Sequence, residues 1–186
     1  EVSNCIIRRN NGWGIYVTDG RLPQTYLGNF IDSNATGGIS NNNTVYTWNS
    51  VMYIGNTISH HTGEGVVSSS ARYIDNTIQY NRYPIAVWRR TGNSYVDNNN
   101  VDGNIISNNQ YNAIAIYSGS IKGNLFFTFP EDITSKTYIV RYDFSVSTGD
   151  TLVIDPGTRI KFEYFNGYQN FTVYGVLLAE GTPALP

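Results

Sequence analysis

Apolar residues recur along the chain in runs of two or three, each broken by Asn or Gly before it reaches helical length. The block Asn-x-Ile appears as Asn4-Cys5-Ile6, Asn29-Phe30-Ile31, Asn56-Thr57-Ile58, Asn76-Thr77-Ile78 and Asn104-Ile105-Ile106. Asn124-Leu125-Phe126 repeats it with Phe for Ile, and the Asn-to-Asn spacings are 25, 27, 20, 28 and 20 residues. A second apolar group follows about ten residues later: Ile15/Val17, Ile39, Val66, Ile85/Val87 and Ile114/Ile116. Five positions after the lead Asn, three repeats carry another Asn (Asn34, Asn81, Asn109), while two carry Arg9 and His61.

No segment holds apolar residues at i, i+3, i+4 and i+7 over a dozen positions, so essentially no helix is expected. A unit of 20–28 residues with two or three short strands and Asn at its corners is one coil of a parallel β-helix. A single coil cannot bury its apolar face and must stack on its neighbours, about 4.8 Å apart. The expected fold is all-β: a parallel β-helix solenoid of roughly seven to nine coils running the length of the chain. Insertions at 40–46 and 89–95 become loops at one corner. Of the two columns before the lead Asn, Tyr26/Tyr53/Tyr73/Val101/Ile121 is expected inward. The alternative, Leu27/Ile54/Ile74/Asp102/Lys122, would bury unpaired charge.

The blocks Gly55-Asn56-Thr57-Ile58, Asp75-Asn76-Thr77-Ile78 and Gly103-Asn104-Ile105-Ile106-Ser107-Asn108-Asn109 resemble the right-handed parallel β-helix repeats of secreted and cell-surface bacterial and archaeal proteins. That resemblance covers residues 1 to about 127 and implies the handedness. Such repeats occur in polysaccharide lyases, glycoside hydrolases, adhesins, tailspikes and structural surface proteins, so they imply a fold without an activity. The remaining stretch alternates with period two, as Leu152/Ile154, Ile160/Phe162 and Phe171/Val173, with a Pro156-Gly157 turn between strands. It resembles the opening coils of such a β-helix. The chain therefore divides at 1–128, Asn-rich coils, and 129–186, continuation coils stacked on the same solenoid.

Composition narrows the function classes. Net charge is −2, with 12 Lys+Arg against 14 Asp+Glu, which leaves no basic face for nucleic acid. Hydrophobic residues make up 40% of the chain, too many for disorder and too interrupted for a membrane-inserted span. The single Cys5, in a strand-like run, excludes an internal disulfide and is expected to be buried or half-buried. The chain starts at Glu1 inside the repeat, as expected of a mature protein or of a piece of something longer.

The lead Asn residues, Asn4, Asn29, Asn56, Asn76, Asn104 and Asn124, are expected to form a structural ladder at a tight bend. His60-His61 with Glu64 is the only His cluster, and its neighbours on adjacent coils are poor ligands, so solvent-facing corners are expected and no metal. Asp97–Gly103 has the composition of a calcium loop, but Val101 breaks the ligand alternation; Ca2+ collected at an Asn/Asp-rich corner is the one cofactor in view. Arg159-Ile160-Lys161 resembles a tripeptide of polygalacturonase-like hydrolases, whose paired aspartates and Gly-His-Gly are missing here. No catalytic carboxylate pair stands out, so no catalytic residue is assigned. The sequons at Asn34, Asn42 and Asn170 occur at chance level in a chain with about two dozen Asn.

Carbohydrate contact is expected at Trp88 and Tyr117, which fall at equivalent positions of neighbouring coils, with Arg89 and Arg90 beside them and Trp13 on a similar surface. The expected function is a non-enzymatic extracellular or cell-surface module for structure or adhesion. It would form rods or filaments by head-to-tail stacking of complementary ends, with weak contact to polysaccharide. The alternative is a carbohydrate-active enzyme, polysaccharide lyase or glycoside hydrolase, or a fragment of one.

Overall fold

The computed structural model describes residues 1–18, 23–41, 51–68, 71–87, 101–117, 119–121, 124–127, 137–154, 156–163 and 169–181; at 101–102, 119–121 and 124–127 it describes backbone only. The described residues are all β, with no helix. Every strand pairing is parallel, as one coil laid on the next requires. The protein is a parallel β-solenoid.

Each coil carries three strands. Coil one has Val2–Ser3, Ile6–Arg8 and Trp13–Val17; coil two has Gln24–Leu27, Phe30–Asp32 and Gly37–Asn41. Coil three has Val51–Ile54, Thr57–Ser59 and Glu64–Ser68, and coil four Arg72–Ile74, Thr77–Gln79 and Tyr83–Val87. Coil five has Val101–Asp102, Ile105–Ser107 and Ile114–Ile116. The first two sheets hold five strands each, so the continuous three-sheet stack has about five turns, not seven to nine. The expected number also counted strands that leave those sheets. Among the described residues, only the third sheet continues, through Thr137–Val140 and Arg159–Phe162, to seven strands. The others form two separate three-stranded sheets, Gly119–Ile121/Phe144–Val146/Phe171–Val173 and Asn124–Phe127/Thr151–Ile154/Val176–Ala179.

Stacking in register places like on like. Ile31, Ile58, Ile78 and Ile106 are successive partners in the second sheet and point inward. Tyr26, Tyr53 and Tyr73 do the same in the first, with ring centroids 5.0 Å apart. The Tyr column is therefore the inward one, and Leu27 faces solvent. The Tyr26 hydroxyl donates to Gln24 Oε1 and accepts from the buried Asn41 side-chain amide, each at 3.1 Å. Burial pushes that phenol up to about 12. Gly157, with φ at 78°, supplies the left-handed residue of the expected Pro-Gly turn.

Two corners of each coil repeat one device: a left-handed residue followed by a ladder position, whose side chain joins the ladder everywhere but at Cys5. At the first corner Asn4, Gly28, Gly55, Asp75 and Gly103 have φ between 52° and 64°. At the second, Arg9, Ser33, His60, Tyr80 and Asn108 lie between 54° and 58°. Asn4 is thus not a rung of the ladder. Val2 pairs with Tyr26, which sets Asn4 beside Gly28 and Cys5 beside Asn29. Cys5 N–H donates to Asn29 Oδ1, and its side chain is exposed rather than buried. Asn124 opens a strand that pairs with Thr151–Ile154, outside the sheets that carry the ladder.

Candidate functional site

The described rungs of the first ladder are Asn29, Asn56, Asn76 and Asn104. Each Oδ1 from Asn56 onward accepts both the backbone N–H and the side-chain amide of the Asn before it, at 2.9–3.0 Å. Each Nδ2 also donates to a carbonyl, for example Asn56 to Tyr26 at 2.8 Å. These side chains are buried and their hydrogen-bonding capacity faces the backbone. The second ladder runs Asn10, Asn34, His61, Asn81 and Asn109, whose backbone N–H donates to Asn112 Oδ1. Its members stand five residues after those of the first, provided that coil one is counted from Cys5 rather than Asn4. Asn34 is a buried rung, so its sequon offers no accessible amide.

Of the expected aromatic strip, only Tyr117 and Trp13 lie among the described residues. Trp88, Arg89 and Arg90 fall outside the described residues, as do 97–100 of the candidate calcium loop. Tyr117 is only 6% exposed. Its hydroxyl accepts from Arg141 Nη1 at 2.6 Å, and the Arg141 guanidinium lies 4.7 Å over its ring. Trp13 is half-buried against a second apolar cluster, formed by Val67, Tyr83, Ala86, Ala115, Tyr117 and Ile139 on the outward side of the third sheet. Both faces of that sheet are buried in its middle strands, while Tyr16 and Phe162 in its end strands are exposed.

The third sheet also carries a charged cluster that the sequence does not announce, because its members are 64, 82, 141 and 163. Arg82 Nη2 lies 2.8 Å from Glu163 Oε1, Arg141 pairs with Glu163, and Arg141 Nη1 is 3.7 Å from Glu64 Oε1. Tyr83 donates its hydroxyl to Glu163 Oε1 at 3.1 Å. Glu64 is therefore a buried partner, not the solvent-facing corner residue expected, and burial raises its carboxyl above the ordinary range. Burial and the Glu163 charge likewise raise the Tyr83 phenol. Among these groups the charges are paired with one another.

The open site is on the outward side of the second sheet. Register puts Phe30, Thr57, Thr77 and Ile105 in one outward column and Asp32, Ser59, Gln79 and Ser107 in the next. The members of these columns on coils two to four, with the left-handed residues Ser33, His60 and Tyr80 beside them, line a groove of about 480 Å³. Asp32 Oδ1 lies 2.8 Å from His60 Nδ1 and accepts from Ser59 Oγ at 2.8 Å, while Oδ2 accepts from Ser33 Oγ at 2.8 Å. Burial alone would raise the Asp32 carboxyl. The hydrogen bonds from Ser33, His60 and Ser59, with the nearby His60 charge, outweigh it and hold the group below its ordinary value. The His60 ring stacks on Tyr80 with centroids 4.7 Å apart, and Tyr80 and Phe30 are 50% and 40% exposed.

This arrangement combines exposed rings with hydrogen-bonding side chains, at a spacing set by the strand and the coil repeat. The sequence signal for it was Asp32, Ser59, Gln79 and Ser107 at one offset after the ladder Asn. The described residues contain no group of three or more His, Cys, Asp or Glu able to hold a metal ion. Arg159-Ile160-Lys161 is a plain strand whose Ile160 packs against the core. Compared with family models, curated proteins and solved structures, the chain gives no match in any of the three.

Proposed function

We propose that the chain is a structural and adhesive segment of a secreted or cell-surface β-solenoid, a stiff rod that contacts a glycan along the second-sheet groove without turning it over. The observation that carries this reading is the groove itself. Phe30 and Tyr80 offer apolar ring surface, while Asp32, Ser59 and Gln79 offer fixed hydrogen-bonding groups to hydroxyls. The two side-chain ladders support the rod, because they tie each coil to the next by bonds beyond the backbone pairing. Head-to-tail association is the proposed mode of growth, and the glycan and a second copy are the proposed partners.

A carbohydrate-active enzyme is the second reading, favoured by one contact. A histidine whose Nδ1 is held by a carboxylate, with its ring exposed to a groove, is an acid–base unit. One experiment separates the two. A panel of neutral and acidic polysaccharides is incubated with the protein and assayed both for retention on the glycan and for new reducing ends or unsaturated products. Retention that Tyr80→Ala abolishes, with no product formed, is the expected result. Product formation lost in His60→Ala would establish the enzyme instead, and no retention on any glycan would remove the adhesive reading.

A further inference from the structure

The Glu64–Arg141–Glu163–Arg82 cluster is closed on itself, and Cys5 stands alone on the first coil. His61 is different. We propose that His61 is an acid-sensing rung: uptake of one proton by its ring breaks the second ladder between coils two and three, next to the groove.

The geometry carries the argument. At four steps of this ladder a backbone N–H donates to an Asn Oδ1, an acceptor that no ordinary acidity removes. At the step from Asn34 to coil three, the acceptor is His61 Nδ1, at 3.0 Å. That bond requires a lone pair on Nδ1, so the ring must be neutral with its proton on Nε2. Protonation places an N–H against the Asn34 N–H, a donor facing a donor. A buried donor left without an acceptor is costly, and here the loss falls on both partners.

The other nitrogen adds a second strain. Neighbouring rungs donate Nδ2 to an inward carbonyl, as Asn81 does to Ile58 and Asn109 to Ile78. His61 Nε2 occupies that role but is buried without a hydrogen-bond partner. The space around it is closed: a Cβ on Gly38 would come within 3.0 Å of Nε2 and 2.6 Å of Ile58 Cγ2. The ring is held between uncharged neighbours, Asn34, Gly38 and Asn81. The charged or titratable groups that act on it are Asp32, which favours the proton, and His60, which opposes it. Burial, the largest influence, disfavours the imidazolium and outweighs the help from Asp32, so the ring titrates below the ordinary histidine value.

The sign follows by linkage. The unfolded chain takes up the proton near the ordinary value of about 6.5, and the native ring only at lower pH. Stability from this rung is complete above that value and declines as pH falls toward the native one. Within that window the unfolding constant rises by up to about tenfold per pH unit. The corner that weakens holds Ser33 and His60, both at the groove.

The test compares the protein with His61→Asn, which restores an acid-insensitive rung. Denaturant unfolding is followed from pH 7 to pH 5, and the ratio of the two unfolding constants is taken so that other titrating groups cancel. The ratio, natural chain over variant, should rise as pH falls below about 6.5, by up to tenfold per unit. A ratio that stays constant across this range overturns the proposal. If the variant does not fold, NMR of the natural chain decides. The His61 ring should titrate below the ordinary value, with the Asn34 amide losing exchange protection in step; proton uptake that leaves the Asn34 amide protected overturns the proposal.

Discussion

Asn56 Oδ1 accepts two hydrogen bonds from Asn29, one from the backbone N–H at 3.0 Å and one from the side-chain amide at 2.9 Å. One buried oxygen thus serves two donors of the preceding coil, and Asn56 repeats the pattern by donating to Asn76. Asn56→Ala removes the acceptor while Asn29 stays buried. Each stranded donor costs about 1–3 kcal/mol, so thermal and denaturant unfolding should register a loss of about 2–4 kcal/mol. A change below about 0.5 kcal/mol would mean that the ladder follows from the fold without stabilising it.

The same ladder has a missing rung at Cys5, whose backbone reaches Asn29 Oδ1 but whose thiol does not continue the side-chain bonds. Cys5→Asn should add the amide donor found at every later step and stabilise the protein by up to about 1 kcal/mol. An unchanged denaturation midpoint would show that coil one is too solvated for a side-chain rung to matter.

That position also shows where the sequence could be misread by one residue. The left-handed corner before the ladder is Gly or Asp in coils two to five but Asn4 in coil one, and Asn is the side chain that best tolerates that geometry. Since Ile6 and Ile7 follow one another, Asn-x-Ile matched one step early. Stacking and strand order were nevertheless legible, because a slip in one coil leaves the other spacings intact. The position of the groove was not. Its residues lie on three coils, and only the pairing register sets Asp32 beside Ser59 and Phe30 beside Thr57. The buried outward face of the third sheet had a signal in Ile85-Ala86-Val87 and Ile114-Ala115-Ile116. Unbroken apolar strands of this kind are covered on both sides.

The inward Ile column gives a sharp test of register. Ile58 and Ile78 are fully buried, one above the other. Ile58→Asp places a charge where no partner exists and should cost about 4 kcal/mol or more, leaving the chain unfolded at ordinary temperature. Thr57→Asp, on the outward column beside it, should cost about 1 kcal/mol or less. Circular dichroism and proteolysis distinguish the two, and equal damage would refute the assigned register.

Glu64 links the charged cluster to pH. Burial raises its carboxyl, so the native state holds that proton more tightly than the unfolded chain does. The stabilisation is complete below the ordinary glutamate value of about 4.3 and is lost as pH rises through the raised native value, the direction opposite to His61. Glu64→Gln, neutral at every pH, should match the natural chain at pH 4 and gain on it as pH rises toward 7. Urea midpoints at three pH values would suffice. A variant that loses ground as pH rises would show that the pairing with Arg141 outweighs desolvation.

The last two short sheets end on an apolar surface whose register partners one coil earlier are buried or half-buried. Leu152 is fully buried, yet Leu177, its partner in register, is 40% exposed, and Val176 and Leu178 beside it are exposed as well. The difference comes from position: among the described residues, Thr151–Ile154 has strands on both sides and Val176–Ala179 on one only. The unpaired backbone groups and apolar side chains of that strand form a template for a further parallel strand. If, as proposed, a second copy of the chain provides it, the contact joins unlike surfaces and propagates instead of closing into a dimer. Light scattering should therefore rise with protein concentration, and electron microscopy should show linear particles whose width does not grow. Leu177→Asp puts a charge into the contact while leaving the interior coils intact, so it should hold the protein monomeric with an unchanged circular dichroism spectrum. Association that persists undiminished in Leu177→Asp would place the contact elsewhere on the solenoid.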